Sequence, residues 1–353
     1  MKILHCADVH LGSGMDSRLP AEKARERRAE LRSSFLGMVE YAKAHGVSVI
    51  LIAGDLFDSD RPLKKDKEFF YNVVRNNADI DFLYLRGNHD ALQSYTRELD
   101  NLKYFSDKWT VYRYGNVAVY GAELTADNYS SLYSTLSPDE KDINIVTLHG
   151  QVSDTVGLDK IVLPKLRNKN IDYLALGHYH TFQRAKIDGR GEFCYSGCLE
   201  GRGFDEAGVK GFVVLDISDR VRAGFVPFSC RTVEIYTVDA TGAEDDYAVW
   251  QRVKDAVKCK KSDIVRVILS GEVGFDNADL AAETQKRLAR ENYYFADVKD
   301  KTLRKIDLAD YEGDATLAGE FVRLVLSDGG LDEERKREII SVGLKALSGR
   351  EID

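Results

Sequence analysis

The sequence predicts an α/β domain followed by a second, smaller α/β domain and a pair of terminal helices. Three observations carry that reading. Through residues 1–217, short apolar, β-branched runs alternate with amphipathic stretches of helical period. Five clusters of Asp, Asn and His each follow directly on one of those runs, and a β-α-β-α-β pattern without any such cluster begins near Cys230. Since ligands of α/β sheets bind at the carboxyl ends of the strands, the five clusters mark one functional edge.

In chain order, Ile3-Leu4 opens the first strand and runs into Asp8-Val9-His10. Residues 21–44 read as a helix with an inward stripe of Leu31, Phe35, Met38, Val39 and Ala42. Its other face carries Lys23, Arg25, Arg27, Arg28 and Arg32. These either pair locally with Glu22, Glu26 and Glu30 on a solvated face or contact phosphate. Val49-Ile50-Leu51-Ile52 leads to Gly54-Asp55-Leu56-Phe57-Asp58, and residues 63–77 form a second helix with Phe69, Phe70, Val73 and Val74 inward. Phe82-Leu83-Tyr84-Leu85 leads to Gly87-Asn88-His89-Asp90. After a strand at 116–120, Ile143-Asn144-Ile145-Val146-Thr147 leads to Leu148-His149-Gly150. A third helix is expected at 158–168, and Tyr173-Leu174-Ala175-Leu176 leads to Gly177-His178-Tyr179-His180.

Beyond the last cluster come strand candidates at 182–187, 193–195, 211–217 and 221–228, read as antiparallel additions to a second sheet. The small domain then follows: strand 233–238, helix 245–257, strand 264–269, helix 278–291 and strand 293–298. Residues 317–347 carry two amphipathic patterns split by Asp328-Gly329-Gly330. Phe321, Leu324 and Val325 stripe the first, and Ile339, Ile340, Leu344 and Leu347 the second. Such stripes bury against their own domain or against a partner. The domains are accordingly placed at residues 1–230, 231–312 and 313–353.

The balance of 44% hydrophobic and 31% charged residues is that of a soluble globular protein. No run is long enough to span a bilayer, and His5 and Asp8 break the apolar start, so neither a membrane span nor a secretory signal is expected. The five cysteines (Cys6, Cys194, Cys198, Cys230 and Cys259) are scattered, and Cys194 and Cys198 have no second pair to complete a zinc set. They read as small buried hydrophobes in a reducing, cytoplasmic setting. A formal net charge of −8 argues against wrapping nucleic acid by bulk electrostatics, so any contact with DNA is local or supplied by a partner.

The clusters assemble the carboxylates Asp8 and Asp55, the imidazoles His10, His149, His178 and His180, and the amide oxygen of Asn88. This nitrogen and oxygen set without thiolate suits Mn²⁺, Fe²⁺ or Zn²⁺. So many imidazoles do not suit an all-oxygen Mg²⁺ or Ca²⁺ cage. Seven ligands exceed what one ion with an open position needs and fit two ions sharing a carboxylate. Two cations roughly 3.5–4 Å apart clamp the attacking and leaving oxygens of an in-line phosphoryl displacement, which points to phosphoester hydrolysis. The competing reading is a set of ordinary turn residues. Against it, five of the 7 histidines fall inside the clusters, leaving His5 and His45 as unremarkable ones outside.

The ordered set Asp8-x-His10, Gly54-Asp55-x-x-Asp58, Gly87-Asn88-His89-Asp90, His149 and Gly177-His178-x-His180 resembles the calcineurin-like metallophosphoesterase superfamily over residues 1–217. Within it, Gly54-Asp55-Leu56-Phe57-Asp58, Tyr195-Ser196-Gly197-Cys198-Leu199-Glu200 and Gly208-Val209-Lys210-Gly211-Phe212 resemble the SbcD-type nucleases of DNA double-strand-break repair. Gly201-Arg202-Gly203-Phe204-Asp205-Glu206 is a variant closer to YhaO-like proteins.

The resemblance implies a four-layer α/β/β/α sandwich with a dimetal site at its top. Asp8, His10, Asp55 and His180 would hold one metal and Asp55, Asn88, His149 and His178 the other, with Asp55 bridging. His89 would stabilise or protonate the leaving oxygen, and Asp58 would orient His89. It further implies manganese, homodimerisation through the first domain, and a partner ATPase of the SMC-like SbcC type that gates DNA ends. The small domain would cap the site and touch DNA, and the terminal helices are candidates for docking the ATPase, although no flexible linker precedes them. The expectation is therefore a Mn²⁺-dependent DNA nuclease subunit. The alternatives are a phosphodiesterase acting on nucleotides and a weakly active metal-binding scaffold for an ATPase.

Overall fold

Strands made of near-continuous apolar residues need cover on both faces, and that requirement organises the first part of the chain. The computed structural model describes residues 1–15, 19–90, 97–305, 311 and 313–347. It divides into two compact units, Met1–Val233 and Glu234–Asp353.

The first unit runs through β1 (Lys2–Cys6), α1 (Ala21–Ala44), β2 (Val49–Ala53), α2 (Lys64–Arg75), β3 (Asp81–Leu85), β4 (Leu102–Tyr104), β5 (Thr110–Tyr114) and β6 (Val117–Gly121). It continues through β7 (Ile143–His149), β8 (Gln151–Ser153), β9 (Lys160–Val162), β10 (Tyr173–Gly177), β11 (Gln183–Lys186), β12 (Glu192–Tyr195), β13 (Gly211–Ile217) and β14 (Val221–Pro227). Two six-stranded sheets result, in the orders β14-β13-β1-β2-β3-β4 and β11-β12-β10-β7-β6-β5.

In the first sheet β1 to β4 are parallel, with Ile3 opposite Val49 and Ile50 opposite Phe82. In the second, β6, β7, β10 and β12 are parallel and the edges β5 and β11 antiparallel. Parallel pairing points the carboxyl ends of β1, β2 and β3 one way, and likewise those of β7 and β10. These are the strands that carry the five clusters. The hairpin β13–β14 differs from expectation: it adds antiparallel to β1 in the first sheet, not to the second. The free edge of β1 is thereby covered by an antiparallel hairpin that needs no crossover helix.

Ile3, Leu51, Leu83, Ile145, Tyr173 and Val213 fill the layer between the sheets. On the outer face of the first sheet, Phe35 and Met38 of α1 and Phe70 of α2 pack on Ile50, Ile52 and Phe82. The outer face of the second is covered by Tyr133, Leu136, Leu163 and Leu166, which lie in or beside two 3₁₀ turns, Leu132–Thr135 and Leu163–Leu166. The helix expected at 158–168 is absent; β9 and a 3₁₀ turn stand there. Ile161-Val162 is a β-branched pair, and Pro164 lacks the N–H that a helix interior needs.

The basic face of α1 is largely spent inside the protein. Arg27 is 1% exposed and pairs with Glu200 at 2.8 Å and with Glu30, Arg32 pairs with Asp66, and Arg28 donates to the Gly14 carbonyl at 2.6 Å. This leaves little of that face for phosphate.

In the second unit, β15 (Val233–Asp239), β16 (Ile264–Ser270) and β18 (Phe295–Asp300) form one sheet, with β16 and β18 parallel. The short β17 (Glu272–Val273) and β19 (Leu303–Arg304) form another. Val249, Trp250 and Val253 of α3 (Asp246–Ala256) and Leu280 and Leu288 of α4 (Leu280–Arg290) pack on Val265, Val267 and Leu269. The Asp245 carboxylate caps α3 by accepting from the Ala248 N–H at 2.7 Å. The terminal helices, α5 (Leu317–Ser327) and α6 (Glu333–Leu347), bury Val322 and Ile340 and belong to the same compact unit. Among the described residues no helix is long and apolar enough to cross a membrane.

Candidate metal centre

The loops after β1 and β2 are zipped together by backbone hydrogen bonds. Asp8 N–H donates to the Gly54 carbonyl at 3.0 Å, His10 to Asp55 at 3.0 Å and Leu11 to Leu56 at 2.8 Å. Asp8, His10 and Asp55 each adopt φ of +51°. A left-handed turn at a residue with a side chain costs on the order of 1–3 kcal/mol and persists where surroundings enforce it, as at functional sites. From the other sheet, Gly150 N–H donates to the Gly177 carbonyl at 3.2 Å, tying the His149 loop to the His178 loop. The His178 N–H donates to both Asp8 oxygens at 3.0 Å, which joins the two sheets at their rim.

Two glycines make the approach possible. A Cβ on Gly87 would lie 2.2 Å from Asp55 Oδ1, and one on Gly54 2.1 Å from His149 Nδ1. Three imidazoles then present the same nitrogen inward. His149 Nδ1 meets the Ala53 carbonyl at 2.9 Å, His180 Nδ1 meets Glu206 Oε1 at 2.7 Å, and His10 Nδ1 lies 3.1 Å from Asp58 Oδ1. For His180 an Nδ1–H held by its acceptor leaves Nε2 as the lone-pair nitrogen, whereas His10 Nδ1 approaches Asp58 without forming a hydrogen bond.

Those nitrogens converge on acceptors. His149 Nε2 stands 2.9 Å from Asn88 Oδ1 and 3.3 Å from Asp55 Oδ2. His10 Nε2 stands 4.0 Å from Asp55 Oδ2, and His180 Nε2 stands 3.9 Å from Asp8 Oδ1. His10 Nε2 and His180 Nε2 face each other at 3.3 Å. Lone pairs and carboxylates crowded this way call for positive charge between them, and the residues fit a pair of divalent cations. Candidate ligand atoms lie within 4.8 Å of one another in the sets Asp8, His10, His180 and Asp8, Asp55, His149.

The electrostatics show the same demand for positive charge, which a proton on His149 answers where no cation stands. Burial opposes charge on His149, but the hydrogen bond and charge of Asp55 outweigh it and push the imidazole up to about 9. Burial likewise opposes charge on Asp55, yet His149 and His10 hold its carboxyl well below the usual range. The His178 ring sits edge-on to His149 with centroids 5.6 Å apart, and burial together with the His149 charge pushes it down. It flanks the cluster but is not among the ligand atoms that converge within 4.8 Å.

His89 stands apart from the ligand sets that contain Asp8 and falls instead in a third set with His10 and Asp58. Its backbone N–H donates to Asp55 Oδ1 at 2.9 Å, and its exposed ring lies edge-on to His10 with centroids 4.9 Å apart. The geometry around Asp58 differs from expectation. Its carboxylate faces His10 and Arg202 Nη1, the latter at 2.7 Å, and His89 Nδ1 meets the Asp58 carbonyl oxygen at 3.3 Å instead. Arg202 and the His10 ring claim the carboxylate and leave the backbone oxygen for His89. His5 is buried between the sheets, bonded to the Tyr173 hydroxyl at 2.9 Å, and His45 stacks on Tyr41 at the end of α1; neither joins the site.

Three residues that stand in stretches quoted from the sequence turn out to support the site, a role the sequence did not assign them. Asp90 is fully buried and shapes the Asn88-His89 turn, accepting from Gly87 N–H at 2.5 Å, Leu56 N–H at 2.8 Å and the Tyr84 hydroxyl at 2.6 Å. Glu206 backs His180; burial opposes its charge, but His180 and Arg202 hold the carboxyl well below the usual range. Lys210, 2% exposed, donates to the His180 carbonyl at 2.7 Å. Asp90 is the last residue of its cluster and was the legible one. Glu206 and Lys210 stand in the stretches that carry the resemblance, but nothing in those stretches points to His180.

A profile of the Calcineurin-like phosphoesterase family matches residues 1–182, a span that contains Asp8, Asp55, Asn88, His149 and His180. The chain is 25% identical over 376 aligned residues to the DNA double-strand break repair protein Mre11 of Sulfurisphaera tokodaii, covering 97% of this chain and 92% of that protein. It is 24% identical to the protein of the same name from Methanosarcina mazei, covering 94% of this chain but only 56% of that longer protein. It is 27% identical to the uncharacterized metallophosphoesterase YhaO of Bacillus subtilis, covering 77% of this chain and 72% of that one. With two stacked sheets whose rim gathers carboxylates and imidazoles, and a family profile spanning that rim, the chain belongs to the calcineurin-like phosphoesterase family.

Proposed function

We propose that this protein is a metal-dependent DNA nuclease subunit that hydrolyses phosphodiester bonds in double-strand-break repair. The observation that carries the proposal is the facing pair His10 Nε2 and His180 Nε2, 3.3 Å apart beside Asp8 and Asp55, with Glu206 at His180 Nδ1 and the Asp58 carboxylate 3.1 Å from His10 Nδ1. Asp8, His10, Asp55 and His180 would hold one cation and Asp55, Asn88, His149 and His178 the other. When bound, a pair of divalent cations supplies Lewis-acid charge to a phosphate and lowers the pKa of water. Manganese is the metal proposed, on the nitrogen-rich donor set and the resemblance.

The protein's own groups do the rest. His89, exposed at the rim with Nδ1 on the Asp58 carbonyl, has Nε2 left to pass a proton to the leaving oxygen. Asp90 fixes the turn that carries it. DNA is the substrate proposed because the names of the Mre11 relatives give them a role in double-strand break repair. An SMC-like ATPase of the SbcC type, a homodimer and DNA contact by the second unit belong to the same proposal and rest on the resemblance.

End-labelled duplex and hairpin DNA, incubated with Mn²⁺ or Mg²⁺ and with or without an SMC-like ATPase, tests the reading. Cleavage with Mn²⁺ that the ATPase stimulates supports it. Hydrolysis confined to mononucleotide esters contradicts the choice of DNA.

A further inference from the structure

Behind His180 and His10 lies one connected group of charges that the proposed chemistry leaves without a task. Glu206 ends the 3₁₀ turn Phe204–Glu206 after β12 and is 5% exposed. Its Oε1 meets His180 Nδ1 at 2.7 Å and accepts from Arg202 Nη2 at 2.7 Å and Nε at 2.9 Å; Arg202 Nη2 also stands 3.2 Å from His180 Nδ1, the longer of the two contacts to that nitrogen. Its Oε2 accepts from the Arg202 backbone N–H at 2.8 Å. The remaining guanidinium nitrogen, Nη1, donates to Asp58 Oδ1 at 2.7 Å, the oxygen that lies 3.1 Å from His10 Nδ1. A single arginine thus holds the two carboxylates that stand behind two facing imidazoles. Arg202 and Glu206 lie beyond the span that the family profile matches, and Asp58 lies within it.

We propose that Arg202 and Glu206 are a positioning pair: Glu206 selects the tautomer of His180, Arg202 carries the alignment through Asp58 to His10, and together they set the cation affinity of the site. This rests on the metal-centre reading above. A neutral imidazole has one N–H, so a carboxylate that accepts from Nδ1 leaves the Nε2 lone pair facing Asp8. The backbone of His180 is held as well, its carbonyl accepting from Lys210 Nζ at 2.7 Å and from Cys198 N–H at 3.3 Å, so the ring has little freedom except which nitrogen bears the proton. Arg202 also sets one positive charge between two carboxylates close to Asp8 and Asp55. The planar guanidinium reaches both at once, which an ammonium on a flexible stem does not.

Glu206→Gln keeps the shape and removes the charge; its amide can donate to Nδ1 and so favours the tautomer with Nε2–H. Arg202→Met keeps Glu206 and removes the clamp. In the full-length protein, ¹⁵N spectra of labelled histidine report the tautomer without metal, and Mn²⁺ titration followed by electron paramagnetic resonance reports affinity.

For Glu206→Gln the expected result is a His180 signal shifted toward the Nε2–H form and one Mn²⁺ site weakened roughly 10- to 100-fold. Arg202→Met weakens the same site, and Asp205→Asn on the same turn changes neither readout. Wild-type tautomer and wild-type Mn²⁺ affinity in Glu206→Gln overturn the proposal. If that variant does not fold, the same result in Arg202→Met overturns it. A wild-type protein that takes up no Mn²⁺, Fe²⁺ or Zn²⁺ overturns the metal-centre reading and the affinity role with it, and the nitrogen spectra distinguish the two failures.

Discussion

Gly54→Ala probes the link between backbone and site at one atom. The added Cβ would sit 2.1 Å from His149 Nδ1. Restoring a contact of 3.4 Å requires the ring to retreat by about 1.3 Å, the difference between the two distances. That retreat breaks the 2.9 Å bond to the Ala53 carbonyl and moves Nε2 off Asp55 and Asn88. Alanine at φ of +96° adds backbone strain of roughly 1–3 kcal/mol, and overpacking adds roughly 1–3 kcal/mol more, so about 2–6 kcal/mol of stability is lost. A displacement near 1 Å in a catalytic constellation costs on the order of 100-fold in turnover.

Gly46→Ala is the control. Its φ is +66° with nothing within 4 Å of the new Cβ, so it pays strain of about 1–2 kcal/mol and spares the site. Denaturant unfolding and calorimetric titration of Mn²⁺ measure both quantities. Equal metal affinity in Gly54→Ala and Gly46→Ala would refute the placement of His149.

Three further outcomes are expected. His89→Ala retains both cations and loses most DNA cleavage, whereas Asp55→Ala loses metal as well; equal metal loss in the two undoes the division of roles. Glu200→Ala strips a partner from Arg27, 1% exposed, and acceptors from the Ser34 hydroxyl and the Cys230 N–H, and should destabilise by roughly 3–5 kcal/mol in urea unfolding. A loss below about 1 kcal/mol would mean that network does not hold the domain together. Removing metal with a chelator abolishes hydrolysis, and Mn²⁺ at about 100 times its dissociation constant restores it together with about 2.7 kcal/mol of stability per site. A melting temperature indifferent to Mn²⁺ speaks against a site built into the fold.

What was legible in the sequence was what local pattern encodes. The stripe from Leu31 to Ala42 placed α1 at Ala21–Ala44, and the apolar runs before Asp55, His149 and His178 placed their strands and the shared rim. The residues that gather at the rim were legible because each sits next to a strand end. Supports that arrive from far along the chain were not, since Glu206 meets His180 from 26 residues away and Arg202 meets Asp58 from 144 residues away. The hairpin β13–β14 was read as strands correctly but assigned to the wrong sheet, because strand pattern carries no information on which edge is free. The cations of α1 looked available for phosphate, and only tertiary packing shows Glu200 and Asp66 answering Arg27 and Arg32.

The claim on which the account depends is that loops from two sheets close around a pair of cations. Anomalous scattering from crystals grown with Mn²⁺ tests it most directly. Two peaks are predicted, one enclosed by Asp8, His10 and His180 and one by Asp55, Asn88 and His149. An empty rim, or manganese bound only elsewhere on the molecule, would contradict it.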